Sequence, residues 1–342
     1  MPSPNRLRLS SEALVSNWRW LAERGGAAAC GAAVKADGYG LGAVEVAAKL
    51  ASSGCRDFYV STWGEALALG RLPDGCSLSI LHGIRLEDME TASRTPHRPV
   101  LNTLRQVELW RPKGRACDVM VDTGMNRLGL SISDVASGAL KGLVINTLMS
   151  HLVSADEDST QTAHQLSAFQ SLIGQTSAKR MSLANSAGIC LGRDYAFDLT
   201  RPGLALYGGV PRSEAAGHIL QVAFPEVQVI QRRAIKAGDK VGYNATFTAD
   251  RAMELAILNL GYADGYLRGF SNRGSAGEGA FPVIGRVSMD LVAIDVSTAP
   301  ELREGDWVGM DYDLLSASAQ SGLSQYELLT GLGERFDRTW SA

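Results

Sequence analysis

No stretch of the sequence approaches the roughly 18 consecutive apolar residues of a membrane span. Its opening, MPSPNRLRLSSEAL, contains neither an apolar core segment nor a small-residue cleavage site. A soluble, cytoplasmic protein is expected. Cysteine is scarce: Cys30, Cys55, Cys76, Cys117 and Cys190 are odd in number, far apart and never spaced C-x-x-C, which indicates neither a disulfide frame nor a zinc site. The five histidines form no H-E-x-x-H, and no G-x-S-x-G marks a nucleophile elbow. Metallohydrolase and serine hydrolase chemistry therefore drop out, and no metal is expected. With 33 basic against 36 acidic residues, scattered along the chain, there is no basic stripe for nucleic acid and no polybasic tract for a membrane surface. Small-molecule chemistry is what remains.

What the sequence does have is a rhythm that changes once. Its 342 residues suit two domains. Up to about Gly209, short apolar or β-branched runs alternate with longer helix-period stretches, the pattern of βαβ units around a parallel sheet. The runs are ACGAAV, DFYVS, SLSIL, RPVL, ACDVMV, GLVINTLMS, RMSLA and FDLT. Eight of them predict an α/β fold of the (β/α)8, TIM-barrel type over residues 11–220. Beyond about Gln221 the helical period gives way to alternating runs separated by Gly, Pro and Asp, which predicts a mainly-β domain over 221–342. The alternation of NRLRLS suggests that residues 1–10 pair into that second domain.

In a barrel of this type functional groups collect where strands end. The first strand ends at Lys35, the fifth runs into VDTGMNRLG with Arg127, and the sixth ends at His151. The seventh leads into ANSAG with Asn185 and Ser186, and the eighth into RPGLALYGG with Arg201, Gly203 and Leu204. The last two loops of such barrels often bind phosphate through backbone N–H groups. Lys35 is not a Walker lysine, because Val34 and Ala36 flank it, and the glycines of GYGLG miss the dinucleotide spacing. The option left is an amine that condenses with an aldehyde, its proton affinity lowered by burial or by cations such as Arg127 and Arg201. A lysine of that kind beside a phosphate site points to pyridoxal 5′-phosphate.

Singly, each residue has an ordinary reading: Lys35 as a solvated turn, His151 as a hydrogen-bonded strand end, ANSAG as a helix cap, Tyr243 as packing. Jointly they form an ordered set. AVKADGYGLG, VDTGMNRLG, SHLVSAD, SLANSAGI, RPGLALYG, VGYNATFTA, LGYADGY, GRVSMDLVAIDV and SQYELLTGLG span nearly the whole chain, and in this order the sequence resembles the alanine racemases.

That resemblance implies a pyridoxal-phosphate isomerase that interconverts L- and D-alanine by a two-base mechanism and supplies D-alanine for peptidoglycan. Lys35 would hold the cofactor as an aldimine and act as base on one face. Tyr243 would act on the other, reaching the pocket from the partner subunit of a homodimer together with Met289 and Asp290. Tyr39, Ser186, Tyr326 and the Gly203 and Leu204 backbone would bind the phosphate, with Asn185 beside them. Arg201 would face the pyridine nitrogen, supported by His151. Arg127 would lie by the cofactor's phenolic oxygen and the substrate carboxylate, with Met289 next to the substrate. Tyr262, Arg286 and Asp290 would line the entrance. One departure stands out: where many members carry a lysine that is carbamylated and bonded to the following arginine, this chain has Met120. Asp37, Gly38 and Asn244 also differ from the commoner versions. The alternatives are a racemase of another small amino acid such as serine, a barrel-type amino-acid decarboxylase, or a non-catalytic cofactor-binding homologue. The decarboxylases face the ring nitrogen with a glutamate, whereas this chain offers Arg201.

Overall fold

The computed structural model describes residues 3–341. The chain divides into two compact units: one comprises Val15–Leu206 with Val210–Ile219, the other the chain up to Leu14, Tyr207–Gly209 and the chain from Leu220 onward.

Strand β1 (Asn5–Leu9) belongs to the second unit. The first unit begins its sheet with β2 (Ala29–Cys30) and β3 (Ala32–Ala33), followed by β4 (Asp57–Val60), β5 (Ser77–Ile80), β6 (Arg98–Leu101), β7 (Ala116–Met120), β8 (Val144–Met149), β9 (Arg180–Ser182) and β10 (Leu199–Thr200). From β3 to β9 all neighbours are parallel and in sequence order. β10 pairs with β2, and backbone bonds from Asp198 to Met181 (3.1 Å), Arg201 to Ala184 (2.9 Å) and Ala33 to Pro202 (2.9 Å) join its ends to β9 and β3. The result is the expected eight-position barrel, its first strand broken at Gly31. The break has a packing cause, because a Cβ at Gly31 would lie 2.7 Å from the Asp57 carbonyl oxygen.

Several crossovers start with a side-chain cap, which explains where those helices begin. Thr62 accepts from the Glu65 N–H before helix Trp63–Leu69, Thr103 from Gln106 before Leu104–Trp110, and Asn185 from Gly188 before Ser186–Cys190. The barrel interior is polar at one level. Arg180 grips Asp57 with two bonds of 2.9 and 2.6 Å, and Arg98 reaches Asp118 at 3.3 Å. Asp118 is fully buried and also accepts from Ser79 Oγ (2.5 Å) and the Thr147 N–H (3.0 Å), and Arg98 lies 3.9 Å from Asp57, so six strands, β4 to β9, share one network.

The second unit continues with β11 (Ala223–Ile235), β12 (Lys240–Val241), β13 (Phe247–Thr248), β14 (Met253–Leu258), β15 (Ser275–Ala276), β16 (Phe281–Ile284), β17 (Val292–Asp295), β18 (Trp307–Gly309) and β19 (Asp337–Trp340). Its main sheet runs β15-β16-β17-β14-β11-β1-β19, with β18 also on β11. β1 is antiparallel to β11 and parallel to β19. Burial alternates along Ala223–Val229 until a register shift after Val229, so the first half of β11 has a core face and the second half lies largely open. Tyr266 stacks on Phe270 at 4.2 Å, and Tyr312 donates its hydroxyl to the Leu328 carbonyl at 3.0 Å beneath the short helices Leu314–Ser321 and Gln325–Thr330. No helix among the described residues is long and apolar enough to cross a membrane.

Candidate active site

The segment after Lys35 is a turn of left-handed helix. Ala36, Asp37 and Gly38 have φ/ψ near 51/49, 51/52 and 62/41, and Tyr39 and Gly40 keep φ at 57 and 85. An L-residue pays about 1–2 kcal/mol for this conformation, so three non-glycine residues here require support. The Gly38 N–H donates to the Val34 carbonyl (3.0 Å), and Asp37 Oδ1 accepts from the Ala43 N–H (2.8 Å) that opens the next helix. The Ala36 N–H, which points out of the turn, is taken by Glu65 Oε1 at 3.1 Å.

The turn directs Tyr39 inward. Its side chain is buried, and its hydroxyl lies over the α-carbon of Gly203, where a Cβ would collide with it. Space, rather than conformation, makes position 203 a glycine. Immediately beside it, Ser186 Oγ accepts from the Gly203 N–H (3.0 Å) and the Ala205 N–H (3.2 Å). Two backbone donors at the start of the helical turn Leu204–Tyr207 thus converge on a single oxygen, the arrangement that receives an anion oxygen. Asn185 caps the helix that carries Ser186.

Lys35 is partly buried. Burial lowers its proton affinity first and the Arg127 charge adds to this, with Glu65 acting in the opposite direction. His151 is half-buried. Burial and then the charges of Arg201, Arg127 and Lys35 push its imidazole down to about 3, so it is neutral across the physiological range. Arg201 is buried and donates to Ser182 Oγ and, at 2.5 Å, to the Ser150 carbonyl. Burial lowers its proton affinity too, though a guanidinium remains charged. His151 is close enough to feel the charge of Arg201, but the hydrogen bonds that fix Arg201 come from the two serine positions.

Arg127 projects from an exposed loop, and its guanidinium has no ion pair or hydrogen bond among the described residues. The loop itself is well held. Asp122 Oδ1 accepts from the N–H groups of Gly124 (2.8 Å) and Met125 (2.9 Å). Partial burial raises the Asp122 carboxyl, but backbone N–H groups from Gly124 to Arg127 outweigh it and hold the carboxyl below its ordinary range. Met120 is buried at the end of β7, its backbone paired with Met149.

The remaining expected positions lie in the other unit. Tyr243, 69% exposed, sits on the turn between β12 and β13, beside Arg286 in a groove of about 540 Å³ that Arg233, Val241 and Leu291 also line. Tyr262 starts a helical turn whose N–H groups bond outward, Tyr262 to the Ser288 carbonyl and Ala263 to the Met289 carbonyl, both at 3.0 Å. Arg335 joins these two segments by reaching Asp264 at 2.7 Å and Asp290 at 2.8 Å. Met289 is exposed, and Tyr326 is exposed on helix Gln325–Thr330.

Sequence reasoning missed Ser150, Ser182, Ala205, Glu65, Asp122 and Arg335. Glu65 alone left a clear signal: T-x-x-E at Thr62–Glu65 is a capping-box pattern. The serines act across the barrel, and no local motif announces them.

Fold and site define a class: a (β/α)8-barrel protein with a mainly-β unit, whose strand ends set a lysine of lowered proton affinity and two arginines near backbone donors fitted to an anion. The family model for the alanine racemase N-terminal domain matches residues 9–211, and that for the alanine racemase C-terminal domain matches residues 222–340. The chain is 39% identical to the alanine racemase of Acidiphilium cryptum over 97% of each protein. It is also 39% identical to a catabolic alanine racemase of Agrobacterium fabrum, over 98% of this chain and 91% of that one. The crystal structure of alanine racemase from Bartonella henselae with covalently bound pyridoxal phosphate superposes with a TM-score of 0.92 at 33% identity, covering 99% of this chain and 100% of that one. The chain belongs to the alanine racemase family.

Proposed function

We propose that the protein interconverts L- and D-alanine with pyridoxal 5′-phosphate, using Lys35 and the partner subunit's Tyr243 as bases on opposite faces of the α-carbon. The observation that carries this reading is the convergence at one barrel mouth of Lys35, whose proton affinity is lowered, the neutral His151 and the fixed Arg201. The donor set suits the cofactor: Ser186 Oγ with the Gly203 and Ala205 N–H groups forms an anion cradle, and the glycine at 203 leaves room for the Tyr39 hydroxyl.

In this reading Tyr39, Asn185, Ser186, Tyr326 and the backbone at Gly203 and Leu204 hold the phosphate. Arg201, positioned with His151 nearby, donates to the ring nitrogen and keeps its proton. Bound pyridoxal phosphate supplies the electron sink that acidifies the α-proton of an attached amino acid. Lys35 Nζ takes or returns that proton on one face, a task that its lowered proton affinity favours near neutral pH. The partner's Tyr243 does so on the other, through its phenolic oxygen. Arg127 receives the substrate carboxylate, and the partner subunit's Met289 borders the substrate. Tyr262, Arg286 and the partner subunit's Asp290 line the entrance.

The reading assigns residues 11–220 to the cofactor-binding barrel and 221–342, with 1–10, to the mainly-β domain of a homodimer. It places the protein in the cytoplasm, where D-alanine enters peptidoglycan synthesis. Incubating the purified protein with cofactor and L-alanine in D₂O tests it. D-alanine carrying α-deuterium is the expected product. Deuteration without D-alanine, or no reaction, would overturn the racemase reading.

A further inference from the structure

One carboxylate ties together two strand ends of the barrel mouth. Glu65 lies in the first turn of helix Trp63–Leu69, where Thr62 accepts its N–H at 3.1 Å. Instead of closing a capping box on Thr62, its side chain reaches outward. Oε2 accepts the Ser61 N–H at 2.6 Å, at the end of β4, and Oε1 accepts the Ala36 N–H at 3.1 Å, next to Lys35. Ala36 is the first residue of the left-handed turn, so its N–H finds no partner inside that turn. The two strands are also joined here by the Val34 N–H donating to the Tyr59 carbonyl at 2.8 Å.

The charged groups facing Lys35 come from three elements. Arg127 arrives on the loop after β7, His151 follows β8, and Glu65 stands on the helix after β4. His151 is neutral, which leaves a cation and an anion acting on the amine in opposite directions.

We propose that Glu65 is a positioning residue for Lys35: by clamping the Ala36 and Ser61 N–H groups it fixes the strained turn that aims the lysine, and its carboxylate balances Arg127 at the amine. The proposal rests on the reading of Lys35 as the reactive amine. Burial and Arg127 together drive the amine toward its neutral form, which leaves little of the cationic form that returns a proton. Glu65 keeps a cationic form available, so Lys35 can both accept a proton and give it back.

The test measures the amine directly in the cofactor-free, full-length chain. Cyanate carbamylates only the neutral amine, and peptide mass spectrometry reports its rate at Lys35 as a function of pH. Glu65→Gln is expected to move the Lys35 midpoint down by about one pH unit, raising the rate about tenfold below the midpoint. Glu108→Gln, on the exposed face of helix Leu104–Trp110, is expected to leave it in place. Glu65→Asp keeps the charge but withdraws it by one methylene, and should give a midpoint between those of Glu65→Gln and wild type. An unchanged midpoint in Glu65→Gln overturns the proposal. If that variant does not fold, a Glu65→Asp midpoint at or above wild type overturns it equally. Because cyanate reads Lys35 without cofactor or substrate, a shifted midpoint in a protein that racemises nothing would sink the racemase reading and leave this one standing. An unshifted midpoint beside intact racemisation would do the reverse.

Discussion

The hydroxyl of Tyr39 closes over the α-carbon of Gly203, leaving no room for any side chain at position 203. Tyr39 reaches that point from the left-handed turn after Lys35, and Gly203 belongs to the turn whose N–H groups converge on Ser186. The covalent and the anion-binding ends of the proposed site are therefore in direct steric register.

Gly203→Ala should displace Tyr39 and destabilise the protein by about 1–3 kcal/mol, the usual cost of overpacking. Cofactor affinity should fall with it. Tyr39→Phe removes the oxygen that collides, and in the Gly203→Ala background it should recover part of the lost stability. Thermal melts of the two single variants and the double variant check this, and strictly additive losses would rule out the steric coupling.

Asp122 gives a pH signature. Its folded carboxyl lies below the ordinary value near 4, so the stability it contributes is complete above that value and is lost as pH falls through the folded pKa. Asp122→Asn lacks this contribution at every pH. The gap in melting temperature between wild type and variant should be open at pH 6 and close as acid is added. A gap independent of pH would show that the loop is held by something other than the carboxylate's charge.

His151 has a dependence of the same sign, set over a wider pH range that begins nearer neutrality. Folding holds its imidazole near 3 instead of the ordinary 6.5, so the unfolded chain binds a proton that the folded one refuses. Stability should be unaffected above about pH 6.5 and should decline toward pH 3, a decline that His151→Asn should reduce. NMR titration of the imidazole offers a second check. A midpoint near 6.5 in the folded protein would contradict the neutral assignment.

Tyr243→Phe leaves the aromatic ring and removes the phenolic oxygen. Loss of a general base costs about 10²–10⁴ in rate, so proton exchange of one alanine enantiomer should fall by that factor while its KM changes little. The two enantiomers should be affected unequally. Equal exchange rates in variant and wild type would contradict the two-base assignment.

Arg335→Ala should loosen the segments it joins. Asp264 is fully buried and accepts from the Gly261 N–H, while Asp290 sits on the exposed Met289 segment. Losing the guanidinium leaves a buried carboxyl short of a partner, so the variant should melt earlier and amide exchange at residues 261–265 should accelerate. Unaltered exchange there would mean that the backbone bonds to Ser288 and Met289 suffice alone.

The barrel was legible because each of its strands is a short apolar run bounded by a turn signal, and the functional groups were legible because they stand where those runs stop. The geometry between strand ends was not. Ser150 and Ser182 are single residues at strand ends, and their bonds to Arg201 exist only once β8, β9 and β10 lie side by side. The left-handed turn escaped notice for a different reason: Ala36 and Asp37 have no intrinsic preference for positive φ, and tertiary bonds from Glu65 and Ala43 impose it. The two helices between Leu314 and Thr330 are too short for a periodic signal, although S-x-x-E at Ser324–Glu327 marked the start of the second.

The pairing of β1 has a consequence for the timing of biosynthesis. Arg6 lies in register with Asp337 on one side and Glu226 on the other. At roughly 5–20 residues per second, Asp337 leaves the ribosome on the order of 20–60 s after Arg6, and the whole barrel sequence is made in between. The nascent chain must therefore carry its first strand unpaired, with alternate residues apolar, while the barrel folds. The charged Arg6 and Arg8 on the other face of that strand help to keep it from pairing elsewhere during the wait.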